Sequence, residues 1–348
     1  MAFVKDGINR KESILVLSSA ILVLLFSVAM GLGIFFFRGD LRLKGRGMQK
    51  GGLWNPSVAE EATLGERLED RIGYLTIPLP DEVGEDEILI VENYHERRIL
   101  VTIPKVPSYF FQQNLFSGDM TDILNIRYGY QNGVAQIELD TNGVMVPVTY
   151  FEGHRLFLQM RRPWEVYERI MVIDPGHGGD DTGSFAYGIE ERDIVSAVAL
   201  ELEKAYSQED VKVYVTHPND SSADNAMRGG LADEVGAGIM VSLHTAVDER
   251  TRTSTGLSLS CRQEQNALGE RIADELAKNT GFKNLGVKLN ELPELFQETA
   301  VPLYYIRLGH LTNKKEAEAM AEKDFSKTAA AAIKRALEAE GFTNRYAE

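Results

Sequence analysis

A single cysteine, Cys261, is all that the 348 residues contain. No disulfide can close within the chain, and no cysteine-based metal site can form. Positive charge is also in short supply. Lys and Arg total 37 against 52 Asp and Glu, a formal net charge of -15. An acidic surface of that kind repels nucleic acid and anionic lipid alike, so no nucleic-acid partner is expected. No internal repeat is evident. Apolar material, by contrast, is plentiful. Hydrophobic residues make up 44% of the chain, enough for real cores, and the length favours two folded units over one.

Residues 13–37 carry no charge and are mostly Leu, Ile, Val, Phe and Ala. A helix of about 20 such residues spans a bilayer. The run is longer than the apolar part of a cleaved signal peptide, and no small-x-small cleavage site follows it. It reads as an uncleaved transmembrane anchor after a short tail, residues 1–12. Lys5, Arg10 and Lys11 precede it, and Arg38, Arg42, Lys44, Arg46 and Lys50 follow it. By the positive-inside count, the C-terminal side would lie in the cytoplasm.

Residues 38–72 form a linker, glycine-rich over 45–56, with a short charged helix expected over 60–71. From 73 to 165 the pattern becomes short alternating apolar runs, such as 87–91, 99–103 and 134–139, which predict a small all-β domain. Gln131-Asn132-Gly133 and Thr141-Asn142-Gly143 read as hairpin turns. His95 and His154 lie there as ordinary surface or turn histidines. From 169 to 348, strands alternate with helices. Strands are expected at 170–174, 211–216, 238–243, 256–260 and 303–308. Amphipathic helices are expected at 191–206, 263–278 and 314–340. That alternation predicts an α/β sheet flanked by helices, with its site at the C-terminal ends of the strands.

Two histidines fall just past such ends. The run Met171-Val172-Ile173-Asp174-Pro175-Gly176-His177-Gly178-Gly179 reads as a buried strand entering a glycine turn that presents His177. The strand at 238–243 ends on His244. Glu191 opens the first helix, with Glu190 beside it as a less favoured rival. Two imidazoles and a carboxylate can hold zinc and leave a fourth position open, an arrangement suited to hydrolysis.

At these residues the chain resembles the zinc-dependent N-acetylmuramoyl-L-alanine amidases of bacterial cell walls. The resemblance runs from residue 169 to the C-terminus. It rests on Val172 to Gly183, Glu191-Arg192-Asp193, Val241-Ser242-Leu243-His244, residues 228–233, Gly286-Val287-Lys288 and Leu308 to Asn313. It implies zinc as cofactor, with His177, Glu191 and His244 as ligands, and peptidoglycan as substrate. The preceding β domain, with Ile90-Val91-Glu92-Asn93-Tyr94, looks similar to the envelope-targeting domains placed before such enzymes.

The chain also departs from the family. Where the family's Pro-x-x-x-x-Glu-x-Gly supplies a catalytic glutamate, Pro302 to Gly309 places Arg307. Arginine accepts no proton in a protein, so loss of a general acid/base costs on the order of 10²–10⁴ in rate. His310 and Glu298 are the candidates to take over. Thr245 stands where the family often has asparagine, and His217 where arginine commonly follows the strand's threonine. The resemblance implies an amidase that cuts between N-acetylmuramic acid and L-alanine; the apolar run adds a membrane anchor, and Arg307 makes weak activity the expectation. The alternative is a degenerate module that binds peptidoglycan or regulates another hydrolase. Polymeric muramyl peptides lie outside the membrane, which sets the expected topology against the charge count. An activating protein partner is left open.

Overall fold

The computed structural model describes residues 73–217, 221 and 225–346, together with the strands Glu60–Glu61 and Leu64–Gly65. The expected anchor at 13–37 lies outside the described residues. Among the described residues, no helix is long and apolar enough to cross a membrane. The chain divides into two compact units between Arg162 and Pro163. Pro163–Val166 is a short helix of the second unit. It goes there because Trp164 packs on Tyr346 at 4.7 Å and Asn344 donates to the carbonyls of Trp164 and Tyr167.

The first unit is two five-stranded sheets. Strand Arg98–Ile103 alternates half-buried and buried positions, as a strand with one face on a core must. Its inward residues Ile99, Val101 and Ile103 join Ile77, Phe111, Phe116, Ile137 and Leu158 in one apolar cluster. Asn132 and Gly133 both have positive φ and join Ile123–Gln131 to Val134–Thr141, the expected hairpin. Two expectations fail here. Residues 60–61 and 64–65 are strands, not part of a helix, and each extends one sheet edge by pairing. Thr141 to Gly143 is no hairpin, because the strands on either side of it belong to different sheets. The Thr141 hydroxyl lies within hydrogen-bonding distance of the carbonyls of Arg97 and Gly143, at 2.9 and 2.7 Å, and shares its one proton between them at the crossing.

The second unit is built on six strands. They are β1 (Ile170–Pro175), β2 (Lys212–Val215), β3 (Ile239–Ala246), β4 (Leu257–Cys261), β5 (Asn284–Leu289) and β6 (Leu303–His310). Their order in the sheet is β2-β1-β3-β6-β4-β5. The first four neighbours are parallel, and β4 runs antiparallel to β6. The helices are α1 (Glu191–Tyr206), α2 (Asn225–Glu234), α3 (Asn266–Thr280), α4 (Lys314–Ala321) and α5 (Lys323–Glu340). The α/β architecture thus matches the expectation for this half.

The single helix expected over 314–340 is broken at Glu322, whose backbone is extended. On a continuous helix, the apolar stripe of Ala317 and Met320 would lie nearly opposite that of Phe325, Ala329, Ile333 and Ala336. The break lets both stripes reach the same core.

The two sheet faces differ in kind. One carries Ile173, Val241, Leu243 and Ile306 against Val195, Val198 and Leu202 of α1 and the apolar sides of α3 and α5. The other is polar. Register places Asp174, Ser242, Tyr305 and Ser260 in one row across β1, β3, β6 and β4. His244, Arg307 and Ser258 form the next row towards the strands' C-terminal ends. Residues paired on adjacent strands share a face, so this row pattern brings polar side chains together at the end where a site was expected.

Candidate metal centre

His177, Glu191 and His244 converge. One ligand atom from each can be chosen so that all lie within 4.8 Å of one another. Among the described residues this is the one group of three or more His, Cys, Asp or Glu so arranged. His177 comes from the turn after β1. Its φ is 66°, a left-handed conformation that non-glycine residues rarely adopt. The turn is held from three sides. Gly178 and Asp181 bond to each other through their backbones, Arg192 donates to the Gly179 carbonyl, and the His217 ring bonds to the His177 carbonyl. His217, noted in the sequence only as a departure, therefore braces the strained residue.

Two glycines make room for the rings. A Cβ at Gly176 would lie 2.2 Å from Cε1 of His244. A Cβ at Gly183, whose φ is +66°, would lie 2.5 Å from Cδ2 of His177. Neither contact is tolerable, so the glycine-rich turn is a packing requirement of the two imidazoles.

Glu191 is the first residue of α1, where the helix dipole favours a negative charge. It is buried, with both carboxylate oxygens engaged. The Thr245 backbone N–H donates to Oε1 at 2.8 Å, and the Ser184 N–H to Oε2 at 3.1 Å. His244 Nδ1 is 3.2 Å from Oε1, and His177 Nε2 is 3.3 Å from Oε2. Burial alone would raise its pKa. The contacts with His177, His244 and the Thr245 amide outweigh burial and hold the carboxyl far below its usual range. Glu190, the rival ligand, points elsewhere and pairs with Arg192.

His177 Nδ1 lies 2.9 Å from Asp181 Oδ2. Burial works to raise the Asp181 pKa, but His177 and the Gly183 amide bring it below its ordinary value. As an ionised acceptor, Asp181 keeps the ring proton on Nδ1 and leaves the Nε2 lone pair facing Glu191. A carboxylate behind a ligating histidine is the usual supporting partner in metal sites. Glu191, against the effect of burial, raises the His177 pKa, and Asp181 acts in the same sense. Protons and a cation therefore compete for this nitrogen, and acid weakens metal uptake.

The donor set, two imidazoles and a carboxylate, fits zinc in its chemistry. Bonds of about 2.0–2.1 Å in a tetrahedron put neighbouring ligand atoms about 3.3–3.4 Å apart; each histidine nitrogen is about that far from one Glu191 oxygen, and with one atom per residue the three lie within 4.8 Å.

His244 lies within β3, whereas the sequence placed it just past the strand's end. Its ring stacks on Tyr305 at 4.6 Å and 24°. Arg307 pairs with His244 in the strand register, lies 4.7 Å over the same Tyr305 ring, and donates to Ser260 Oγ at 3.1 Å. The other two candidates are not brought into the cluster. His310 Nδ1 is 3.0 Å from the Gly256 carbonyl, and its backbone N–H donates to Glu316. Glu298 is exposed in the segment before β6 and makes no hydrogen bond or ion pair among the described residues.

The sequence reading missed the support beneath the site. Asp174 is fully buried and accepts two bonds from Arg228, both 2.8 Å, one from Thr216 at 2.8 Å and one from Ser242 at 2.7 Å. Burial would raise the Asp174 pKa, but the Arg228 guanidinium and the two hydroxyls hold it below its ordinary value. The signal available was an ionisable residue directly after the apolar run Met171-Val172-Ile173, which demands a counter-charge. Tyr305 was also missed. Nothing in a β-branched and aromatic strand marks which ring will lie on His244.

A sequence family described as N-acetylmuramoyl-L-alanine amidase matches residues 171–339. The chain is 26% identical over 157 residues to the N-acetylmuramoyl-L-alanine amidase CwlM of Bacillus licheniformis, covering 44% of this chain and 62% of that protein. It is 29% identical over 164 residues to the endolysin of Bacillus phage SPP1, covering 45% of this chain and 59% of that one. It thus spans less than two thirds of either relative. Among solved structures, the N-acetylmuramoyl-L-alanine amidase AmiC2 of Nostoc punctiforme aligns at 24% identity with a TM-score of 0.47, covering 49% of this chain and 96% of that one. Residues 171–339, within the C-terminal unit, thus form a domain of the N-acetylmuramoyl-L-alanine amidase family.

Proposed function

We propose that the protein is a membrane-anchored, zinc-dependent cell-wall amidase of weak activity. It would hydrolyse the amide between N-acetylmuramic acid and L-alanine of peptidoglycan. The observation that carries this reading is the convergence of His177, Glu191 and His244, with Asp181 and the Thr245 amide behind them. Zinc held there would supply Lewis acidity to the scissile carbonyl and to water. The chain's own groups do the rest. Asp181 fixes the His177 tautomer, Glu191 stays ionised and buried, and the turn keeps both imidazoles facing inward. Arg307 holds a permanent charge beside His244 but takes no proton. His310 remains a candidate acid/base. The Gly256 carbonyl keeps its proton on Nδ1, so Nε2 carries the lone pair.

Purified full-length protein in detergent is expected to bind about one zinc. His177→Ala and His244→Ala should each lose it, as read by elemental analysis. Muropeptides incubated with the zinc-loaded protein should yield separated sugar and peptide, slowly. Full zinc occupancy in both variants would end the metal reading.

The second reading, a peptidoglycan-binding module without catalysis, is favoured by one observation. The residue paired with His244 on the neighbouring strand is an arginine, not a carboxylate. Binding of muropeptides without any cleavage would select it.

The anchor at residues 13–37 and an extracellular C-terminal unit belong to the same proposal, because peptidoglycan lies outside the membrane. Protease added to wall-stripped cells should degrade residues 169–348. Protection until the membrane is broken would instead uphold the local Lys/Arg count.

A further inference from the structure

We infer that Arg307 is the anchor for a carboxylate of the substrate, so that the site prefers muramyl peptides with a free acid near the scissile amide. The inference rests on the amidase reading for the identity of the ligand, but its observations are separate. The first is charge. In this unit Arg169, Arg192, Arg228, Arg271, Arg335 and Arg345 each meet a carboxylate within 4.0 Å. Arg250, Arg252, Arg262 and Arg307 meet none among the described residues; Arg250 and Arg252 are exposed and Arg262 is bonded to backbone carbonyls, whereas Arg307 is half-buried in a chain whose net charge is -15. Its one hydrogen bond there is to Ser260 Oγ. A guanidinium has five N–H groups, and a half-buried cation without a counter-ion is costly unless solvent or ligand supplies one.

The second observation is orientation. The guanidinium lies over the Tyr305 ring, and Ser260 holds one of its edges. Both contacts fix its plane before any ligand arrives, and an oriented fork is what carboxylate recognition uses. The third observation is place. The Tyr305 ring stacks in turn on His244, so the guanidinium and the candidate ligand share one aromatic neighbour. A carboxylate held by Arg307 would therefore lie beside the cluster rather than at a remote surface. Ser258 and Ser260, which flank Arg307 on β4, are neutral and offer no competing acid.

The test compares two probes on the full chain in detergent, N-acetylmuramoyl-L-alanyl-D-glutamate and the same compound with both carboxyls amidated. Calorimetry should show wild-type protein binding the diacid about ten- to a hundredfold more tightly, the range of a charge-assisted hydrogen-bonded pair. Arg307→Gln should bind both probes alike, while Arg307→Lys should keep part of the preference. Zinc content equal to wild type identifies variants whose site is intact. Equal wild-type binding of the two probes, or a preference that survives Arg307→Gln, overturns the inference. Sugar–peptide cleavage measured in parallel separates the two readings. Acid preference without cleavage keeps the anchor and removes the amidase. Cleavage of both probes without preference does the reverse.

Discussion

Arg228→Leu is expected to destabilise the C-terminal unit by about 3–5 kcal/mol at pH 7, the cost of leaving one partner of a buried ion pair alone. Asp174 is fully buried, and Arg228 supplies two of its four hydrogen bonds. The sign of the pH dependence follows from its pKa in each state. In the wild type the folded pKa is lowered. The pair therefore adds stability above the unfolded aspartate value of about 3.9, and that stability is lost as pH falls through the still lower folded value. In the variant the balance reverses. Burial then dominates, the Asp174 pKa rises, and protonation relieves the buried charge. The gap between wild type and variant should therefore narrow as pH falls from 7 towards 4. Urea unfolding, with hydrogen exchange at the β1 and β3 amides, measures it. Asp174→Asn added to Arg228→Leu should recover part of the loss at pH 7. A gap below about 1 kcal/mol, or one that is constant with pH, would show that Ser242 and Thr216 suffice to hold the carboxylate.

That ion pair also marks how far the sequence could be read. The candidate ligands were legible because each follows a local rule. A strand enters a glycine turn at His177, a helix begins at Glu191, and an apolar strand carries His244. The Asp174–Arg228 contact joins residues 54 positions apart, and no local pattern links them. The break at Glu322 has no glycine or proline to announce it and is set by which core two apolar stripes must share. Strand β5 reads as Asn-Leu-Gly-Val-Lys-Leu and went unnoticed, because a half-exposed edge strand shows little contrast between its faces. The role of His217 was hidden for another reason. A residue that departs from a family pattern looks like a loss until the backbone carbonyl it holds is seen.

Arg307→Glu is expected to raise the turnover of muropeptide hydrolysis by on the order of 10²–10⁴, the usual contribution of a positioned acid/base. Position 307 faces His244 across the parallel β3–β6 pair, so a carboxylate there would stand beside the candidate ligands. It could take a proton from attacking water and give it to the leaving amine. The same change removes the proposed anchor and adds a like charge. KM for acidic muropeptides should therefore rise while kcat rises, and KM for amidated ones should change little. A simple repair of a damaged site would raise kcat without that split. His310 offers the competing outcome. If its Nε2 already serves as base, His310→Ala abolishes the wild-type activity and Arg307→Glu adds little. His310→Ala that leaves slow wild-type cleavage intact, together with Arg307→Glu that accelerates it, assigns the missing proton transfer to position 307. Wild-type cleavage that is already brisk and indifferent to both substitutions would remove both residues from the chemistry and leave Glu298, exposed before β6, as the remaining candidate among those named.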